Sequence, residues 1–152
     1  MKKTGSFLLI VFVLICFGSF KLMAQKHKPD DVLGNWLNEE RTAKVQVYKE
    51  GNKYFGKIIW LKDPLDIATG KPRTDNLNPD PKQQRAPLLG LVMLKNFVFD
   101  GDEEWSDGSI YDPKNGKTYK CYIKFENPQM LKIRGYIGVS LLGRTTHWFK
   151  TN

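Results

Sequence analysis

After about residue 33, apolar and polar residues alternate in short segments, the pattern of half-buried β-strands. In the segment 119–125, Tyr119, Cys121, Ile123 and Phe125 share one face, and mostly lysines take the other. Turn-forming residues separate such segments, and no later stretch has a clear helical period, a short helical turn at 88–93 being the one alternative. The candidate strands are 33–38, 43–47, 54–61, 89–94, 109–111, 119–125, 131–137 and 144–149.

One region interrupts this rhythm. Residues 62–87 contain five of the eight prolines, together with many charged and amide side chains. Proline lacks a ladder donor and fixes φ, so this region is not a strand. So long a connection in a small domain is uncommon and is often a lid or a binding loop, although a solvated hairpin extension is an equal alternative.

The chain begins with a pattern typical of secretory signals. Lys2 and Lys3 precede an apolar run over 7–17, and residues 22–25 offer a cleavage stretch. The run is shorter than the roughly 20 apolar residues that a spanning helix needs. We therefore predict a signal peptide at 1–25, export to the periplasm or beyond, and one domain at 26–152. An uncleaved anchor through 7–24 is the alternative.

Charge and cysteine content narrow the classes of function. Removing residues 1–25, which contain Lys2, Lys3 and Lys21 and no acid, lowers the net charge from +8 to +5. The remaining basic residues are dispersed among acids, so the chain lacks the basic stripe of a nucleic-acid-binding protein. Only Cys121 remains, so no internal disulfide can form. Its place on an apolar face predicts a core thiol rather than a nucleophile.

Strands at this spacing predict a sandwich or a closed barrel. Gly34-Asn35-Trp36 on the first strand, with an arginine near the chain end, resembles the signature of lipocalins and related calycin barrels. That resemblance implies that Trp36 closes one end of the barrel and that an arginine packs across it, Arg144 being preferred to Arg134. A guanidinium on an indole covers apolar surface and gains a cation–π interaction.

A longer series of motifs runs through nearly the whole domain. The motifs, in order, are Gly34-Asn35-Trp36, Gly56-Lys57-Ile58, Asp75-Asn76-Leu77-Asn78-Pro79, Pro87-Leu88-Leu89-Gly90, Ile110-Tyr111-Asp112-Pro113, Gly116-Lys117-Thr118-Tyr119, Arg134-Gly135-Tyr136-Ile137-Gly138 and Leu142-Gly143-Arg144-Thr145. This series resembles the exported bacterial family known as domain of unknown function 2147. The resemblance implies a calycin-type barrel and export, and it brings no established activity or catalytic residue. We therefore expect an all-β, single antiparallel up-and-down barrel of about eight strands, lipocalin-like, behind the signal peptide.

The sequence contains no recognisable catalytic, metal or cofactor motif. His27 lies in the lead-in and His147 on the last strand, so histidine ligands are not clustered. The acidic group at 100–104 lacks the alternating ligand spacing of a calcium loop and fits a solvated turn. The glycines occur singly, so no phosphate-cradling loop is present. A hydrolase or isomerase using Asp75 or His147 is kept as a minor alternative.

What remains is a set of amphipathic side chains that suits a small ligand, although many of them could simply fill the barrel. We place Trp60 and Trp105 at the barrel mouth because they flank the long loop and the acidic turn. A small apolar or amphipathic ligand in the bacterial envelope is the leading expectation, and a loop that recruits or inhibits a protein partner is the alternative. The predicted ligand-binding residues are Trp60, Asp75, Asn78, Arg85, Trp105 and Tyr111.

Overall fold

The computed structural model describes residues 27–152, and the predicted signal peptide at 1–25 lies outside them. Eight antiparallel strands follow one another around a closed barrel, each paired with its neighbour in sequence. The last strand closes the circle on the first, with Leu37 opposite Phe149. The predicted up-and-down barrel is thus confirmed. Its strands are β1 Gly34–Leu37, β2 Ala43–Glu50, β3 Lys53–Leu61, β4 Val92–Phe99, β5 Glu104–Asp112, β6 Lys117–Asn127, β7 Met130–Tyr136 and β8 Arg144–Thr151.

The alternation in the sequence sorts side chains between the lumen and the outer wall. On β6, Cys121 and Ile123 are buried in the lumen, and Lys120 between β5 and β7 faces outward. Burial also raises the pKa of the Cys121 thiol, which leaves it protonated and inert at ordinary pH. The lone cysteine therefore acts as a packing group.

Large side chains fill the lumen. The apolar gap among Val47, Leu94 and Trp105 holds no volume that a water molecule could enter. Two glycines make this density possible: a Cβ at Gly108 would overlap the Phe97 ring, and one at Gly56 would lie 2.7 Å from Leu94. The core cluster comprises Val32, Trp36, Val45, Val47, Tyr54, Ile58, Leu94, Phe97, Trp105, Cys121, Ile123, Leu131, Ile133 and Trp148.

A 3₁₀ helix, Pro29–Val32, closes one end of the barrel, which we call the closed end. Two indoles hold it there: Trp36 Nε1 donates to Val32 O and Trp105 Nε1 donates to Pro29 O, both at 2.9 Å. Asp30 ties the helix to the β2–β3 hairpin, because its carboxylate accepts a hydrogen bond of 2.7 Å from the Tyr54 hydroxyl. This 3₁₀ helix, which we call the plug, is therefore fixed by polar contacts as well as by burial.

The arginine expected over Trp36 lies elsewhere. Lys150 occupies that position, with Nζ 5.8 Å from the centre of the Trp36 ring. Arg144 is exposed at the start of β8, opposite Gly135, six residues and so roughly 20 Å from Lys150 along the strand. The cation over the tryptophan comes from the end of the last strand, which pairs with β1.

The opposite end, which we call the open end, carries the β3–β4 loop and the β7–β8 loop. Several strand boundaries differ from prediction, most of all in two strands: β4 spans Val92–Phe99 rather than 89–94, and β5 spans Glu104–Asp112 rather than 109–111. Asp107, with φ of 58°, and a register shift after Trp105 break the alternation of β5, which hid its first half from the sequence pattern. Among residues 27–152, no helix has the length and apolarity that crossing a membrane requires.

Replacing Trp105 with phenylalanine tests the plug. We expect Trp105→Phe to lower the free energy of unfolding in urea by about 2–4 kcal/mol, because it leaves Pro29 O without its donor and opens a cavity. The matched control is Trp60→Phe, at a side chain that is 40% exposed, which should change stability by less than about 0.5 kcal/mol. Equal effects of the two changes would contradict the plug.

Candidate functional site

The connection between β3 and β4 is an ordered loop, residues 62–91, folded against the outer wall of the barrel. Its two arms bond to each other: Asp75 N donates to Ala86 O and Leu88 N donates to Arg73 O, both at 2.9 Å. Isolated bridges, Leu65 with Pro72 and Thr74 with Pro87, add to this pairing. The proline-rich segment thus pairs much of its backbone within the loop without becoming part of the sheet.

Asp75 anchors the loop to the barrel. Its side chain is 1% exposed, and its carboxylate accepts hydrogen bonds from the Tyr111 hydroxyl at 2.7 Å and from Asn78 Nδ2 at 2.6 Å. Tyr111 projects from the outer wall, because its neighbour Ile110 packs against the core within the lumen. A buried carboxylate needs such donors, since water no longer solvates it.

A second anchor lies two residues further along the loop. The carbonyl of Leu77 packs directly on Gly116, in the turn between β5 and β6, where any Cβ would overlap the carbonyl oxygen. Gly116 also has φ of 69°, a conformation that favours glycine. The turn glycine therefore allows both the tight hairpin and the close approach of the loop.

Between these anchors and the wall lies a cleft of about 180 Å³. The loop contributes its roof, and β4, β5 and β6 contribute its floor. Its lining combines an ammonium group, three hydroxyls and an amide with an apolar side. The lining residues are Asn78, Pro79, Leu91, Val92, Met93, Lys95, Ser109, Tyr111 and Thr118.

The hydroxyl of Tyr111 is held neutral in this cleft. Burial, followed by the hydrogen bond to Asp75 and the charge of that carboxylate, raises the pKa of Tyr111 to about 12. The phenol therefore stays a donor at ordinary pH. The O–H group donates its one hydrogen bond to Asp75, and the phenol oxygen can still accept a hydrogen bond from a molecule in the cleft.

The six predicted ligand-binding residues separate into two groups. The structure brings Asp75, Asn78 and Tyr111 together at the cleft. Trp60 instead projects from the outer wall of β3, with the Lys44 ammonium 6.0 Å from its ring centre.

Arg85 is exposed on the loop, and Trp105 is buried at the closed end rather than at the mouth. Trp105 follows the acidic turn, as its sequence position shows, but that turn lies at the end opposite the long loop. Adjacency to a turn did not reveal which end of the barrel the turn occupies.

Sequence reasoning missed the wall residues Met93, Lys95, Ser109 and Thr118. The outward positions of these strands follow from alternation, except in β4. That strand is irregular at Asn96, with φ of 64°, and at Met93, where its register with β3 shifts. Nothing in the alternation shows which stretch of outer wall the loop covers. The only available signal was the pair of motifs containing Asp75 and Tyr111, whose contact requires knowledge of the fold.

The other candidate chemistry is not assembled. Within the described part of the chain, no three histidine, cysteine or carboxylate side chains cluster as a metal site requires. Asp100 accepts backbone hydrogen bonds from Asp102, Glu103 and Glu104, so it organises its own turn. His147 lies beside Glu39, with Nδ1 and Oε1 3.7 Å apart, and both side chains are partly exposed.

A closed barrel of eight consecutive antiparallel strands is a lipocalin-like fold. The Helicobacter pylori protein HP1028, described as belonging to the lipocalin family, has a similar solved structure. The TM-score is 0.67 at 22% sequence identity, and the match covers 79% of this chain and 82% of that one. At this identity the likeness concerns the fold.

The family is equally clear. The model of the family DUF2147, described as uncharacterized proteins conserved in bacteria, matches residues 34–150. The chain therefore belongs to that family. The predicted family resemblance is thereby confirmed. No curated protein matches the chain significantly.

Removing the Tyr111 hydroxyl should release the loop. We expect Tyr111→Phe to cost about 1–3 kcal/mol, because the buried Asp75 carboxylate loses a donor. Trypsin should then cleave faster at the loop's basic residues, such as Arg73 and Arg85. The control is Tyr119→Phe, whose hydroxyl accepts a bond from an exposed asparagine, and which should leave the loop protected. Unchanged cleavage in Tyr111→Phe would refute the anchor.

The same hydroxyl gives a pH dependence at alkaline pH. Between pH 10.0 and about 12, the phenol ionises in the unfolded chain but not in the folded one. The unfolded state then binds fewer protons, so stability falls as pH rises through this window. Urea titrations should show a steeper fall in the parent protein than in Tyr111→Phe. Parallel curves would count against the raised pKa, because every other titrating group is common to both proteins.

Proposed function

We propose that this protein is an exported binding protein of the bacterial envelope that holds a small amphipathic molecule in the cleft beneath its long loop. The lipocalin-like barrel itself suggests a small-ligand binding protein. The observation that carries the proposal is the anchored loop: a buried carboxylate, Asp75, fixes a roof over a polar and apolar cleft.

The packed lumen is the reason for looking outside the barrel. Eight strands leave an interior just wide enough for side chains to fill, and here Trp36, Phe97 and Trp105 are among those that fill it. The gap beside Trp105 does not admit water. A cleft on the outer wall is therefore the better candidate for a ligand than the lumen.

The lining indicates the chemistry of the ligand. Lys95 supplies a positive charge, and the hydroxyls of Ser109 and Thr118 can donate hydrogen bonds, which together suit a carboxylate or a similar anionic head. Met93 and Pro79 provide an apolar side for a short hydrocarbon body. The volume of about 180 Å³ is below the roughly 300 Å³ at which drug-sized pockets begin, so the ligand is small.

The envelope location rests on the N-terminal segment. Its basic start, short apolar run and cleavage stretch at 1–25 are typical of a secretory signal. A single buried cysteine also fits a domain that folds in an oxidising compartment without disulfides.

Hexanoate is a suitable probe, with hexylamine as the reversed-charge comparison. Saturation-transfer NMR on the purified protein should detect hexanoate and not hexylamine. Ser109→Phe should abolish the signal by filling the cleft, and Lys95→Gln should weaken it severalfold. The matched control is Ser106→Phe, which lies outward on the same strand away from the cleft. Binding that survives Ser109→Phe, or equal binding of both probes, would contradict the proposed site.

A further inference from the structure

The two ends of the barrel differ in surface character. Every large apolar side chain that is exposed among residues 27–152 lies toward the open end or on its loops. The closed-end hairpins, by contrast, carry the acidic run 100–104. Within residues 27–152 they expose no large apolar side chain. Isolated exposed apolar residues are ordinary, but their confinement to one end is informative.

The β7–β8 loop concentrates this apolar surface. Ile137, Val139, Leu141 and Leu142 are 66%, 59%, 88% and 80% exposed. No charged residue interrupts the stretch 135–143. Large aliphatic side chains held in water, four within six residues, indicate a surface that is covered when the protein functions.

Three of the loop's carbonyls, those of Val139, Ser140 and Leu141, accept hydrogen bonds from within the protein. Arg134 Nε donates to Ser140 O at 2.7 Å, and its Nη2 donates to Leu141 O at 3.1 Å. The 3₁₀ turn Ser140–Leu142 adds a bond from Leu142 N to Val139 O. In hydrocarbon, backbone polar groups must find partners within the protein. These bonds lower the cost of burying the loop's carbonyls in lipid, and its aliphatic side chains are exposed.

The charges at this end indicate which kind of surface fits. Arg134 and Arg144 bound the apolar stretch, and their positions flank the base of the loop. Basic side chains beside an inserted apolar loop are the arrangement that binds anionic lipid headgroups. The acidic closed end would be repelled from the same surface. The other segments at this end carry acids and bases in equal number, so the excess of positive charge there comes from the two arginines. The bases are Arg41, Lys62, Lys71, Arg73, Lys82, Arg85 and Lys114, and the acids are Glu39, Glu40, Asp63, Asp66, Asp75, Asp80 and Asp112.

We propose that the open end docks on an anionic lipid bilayer surface. The 137–142 loop enters the interface with its aliphatic side chains, and Arg144 lies at the level of the headgroups. This docking is independent of the cleft, because none of the cleft residues belongs to the loop.

Vesicle co-sedimentation tests the docking. The protein should sediment with phosphatidylcholine vesicles that contain phosphatidylglycerol and remain free with phosphatidylcholine alone. Leu141→Ser with Leu142→Ser should weaken binding at least about tenfold, because both side chains lose apolar transfer energy. Leu141→Met with Leu142→Met is the matched control and should retain binding. In a separate variant, Leu141→Trp, tryptophan emission should shift to the blue when vesicles are added.

Charge is tested in the same assay. Arg144→Gln should weaken binding about fivefold, whereas Lys53→Gln, an exposed cation at the closed end, should leave it unchanged. Absence of sedimentation with anionic vesicles would overturn the proposal, as would equal sedimentation of the serine and methionine variants. The alternative occupant of the loop is a second copy of the chain. In that case the protein would not bind vesicles but would form a dimer, and the double serine variant would be monomeric. Unfolding curves matching the parent confirm that the variants are folded.

Discussion

Closure of an eight-stranded sheet determines where this protein can bind anything. The circle formed when β8 pairs with β1 encloses only as much space as a set of large side chains can occupy. Here that space is occupied. Glycines at positions 56 and 108 lack the Cβ that would overlap Leu94 and Phe97, and this allows the dense packing. A binding site must then be built on the wall or at an end of the barrel, from segments that the sheet does not use.

The long loop answers this constraint with one buried carboxylate. Asp75 is costly to bury, and it is tolerated because Tyr111 and Asn78 both donate to it. The same bonds that solvate the carboxylate also hold the roof of the cleft in place. The stability of the loop and the shape of the cleft therefore depend on the same bonds. A change at Tyr111 that loosens the loop also changes the cleft.

Much of the architecture followed from the sequence, because alternation and turn residues are local signals. The succession of short strands and the lumen-facing set on β6 were predictable from these signals. The signals left both a sandwich and a closed barrel open, and the choice of the barrel came from the family resemblance. The positions of Trp105 and Arg144 could not be predicted in this way, since each depends on which end of the barrel a segment occupies. Asp75 and Tyr111 were picked out individually, yet their contact spans the loop and the wall, and only the fold places them together.

The pairing of Leu37 with Phe149 also governs how the chain reaches this structure. The ring is completed by its most distant segments, so the native contacts of β1 and β8 with each other form only when nearly all of the domain is available. Such non-local pairing belongs to folds that take milliseconds to seconds rather than microseconds to form. Until then, β1 and β7 present open backbone edges that can pair with other chains.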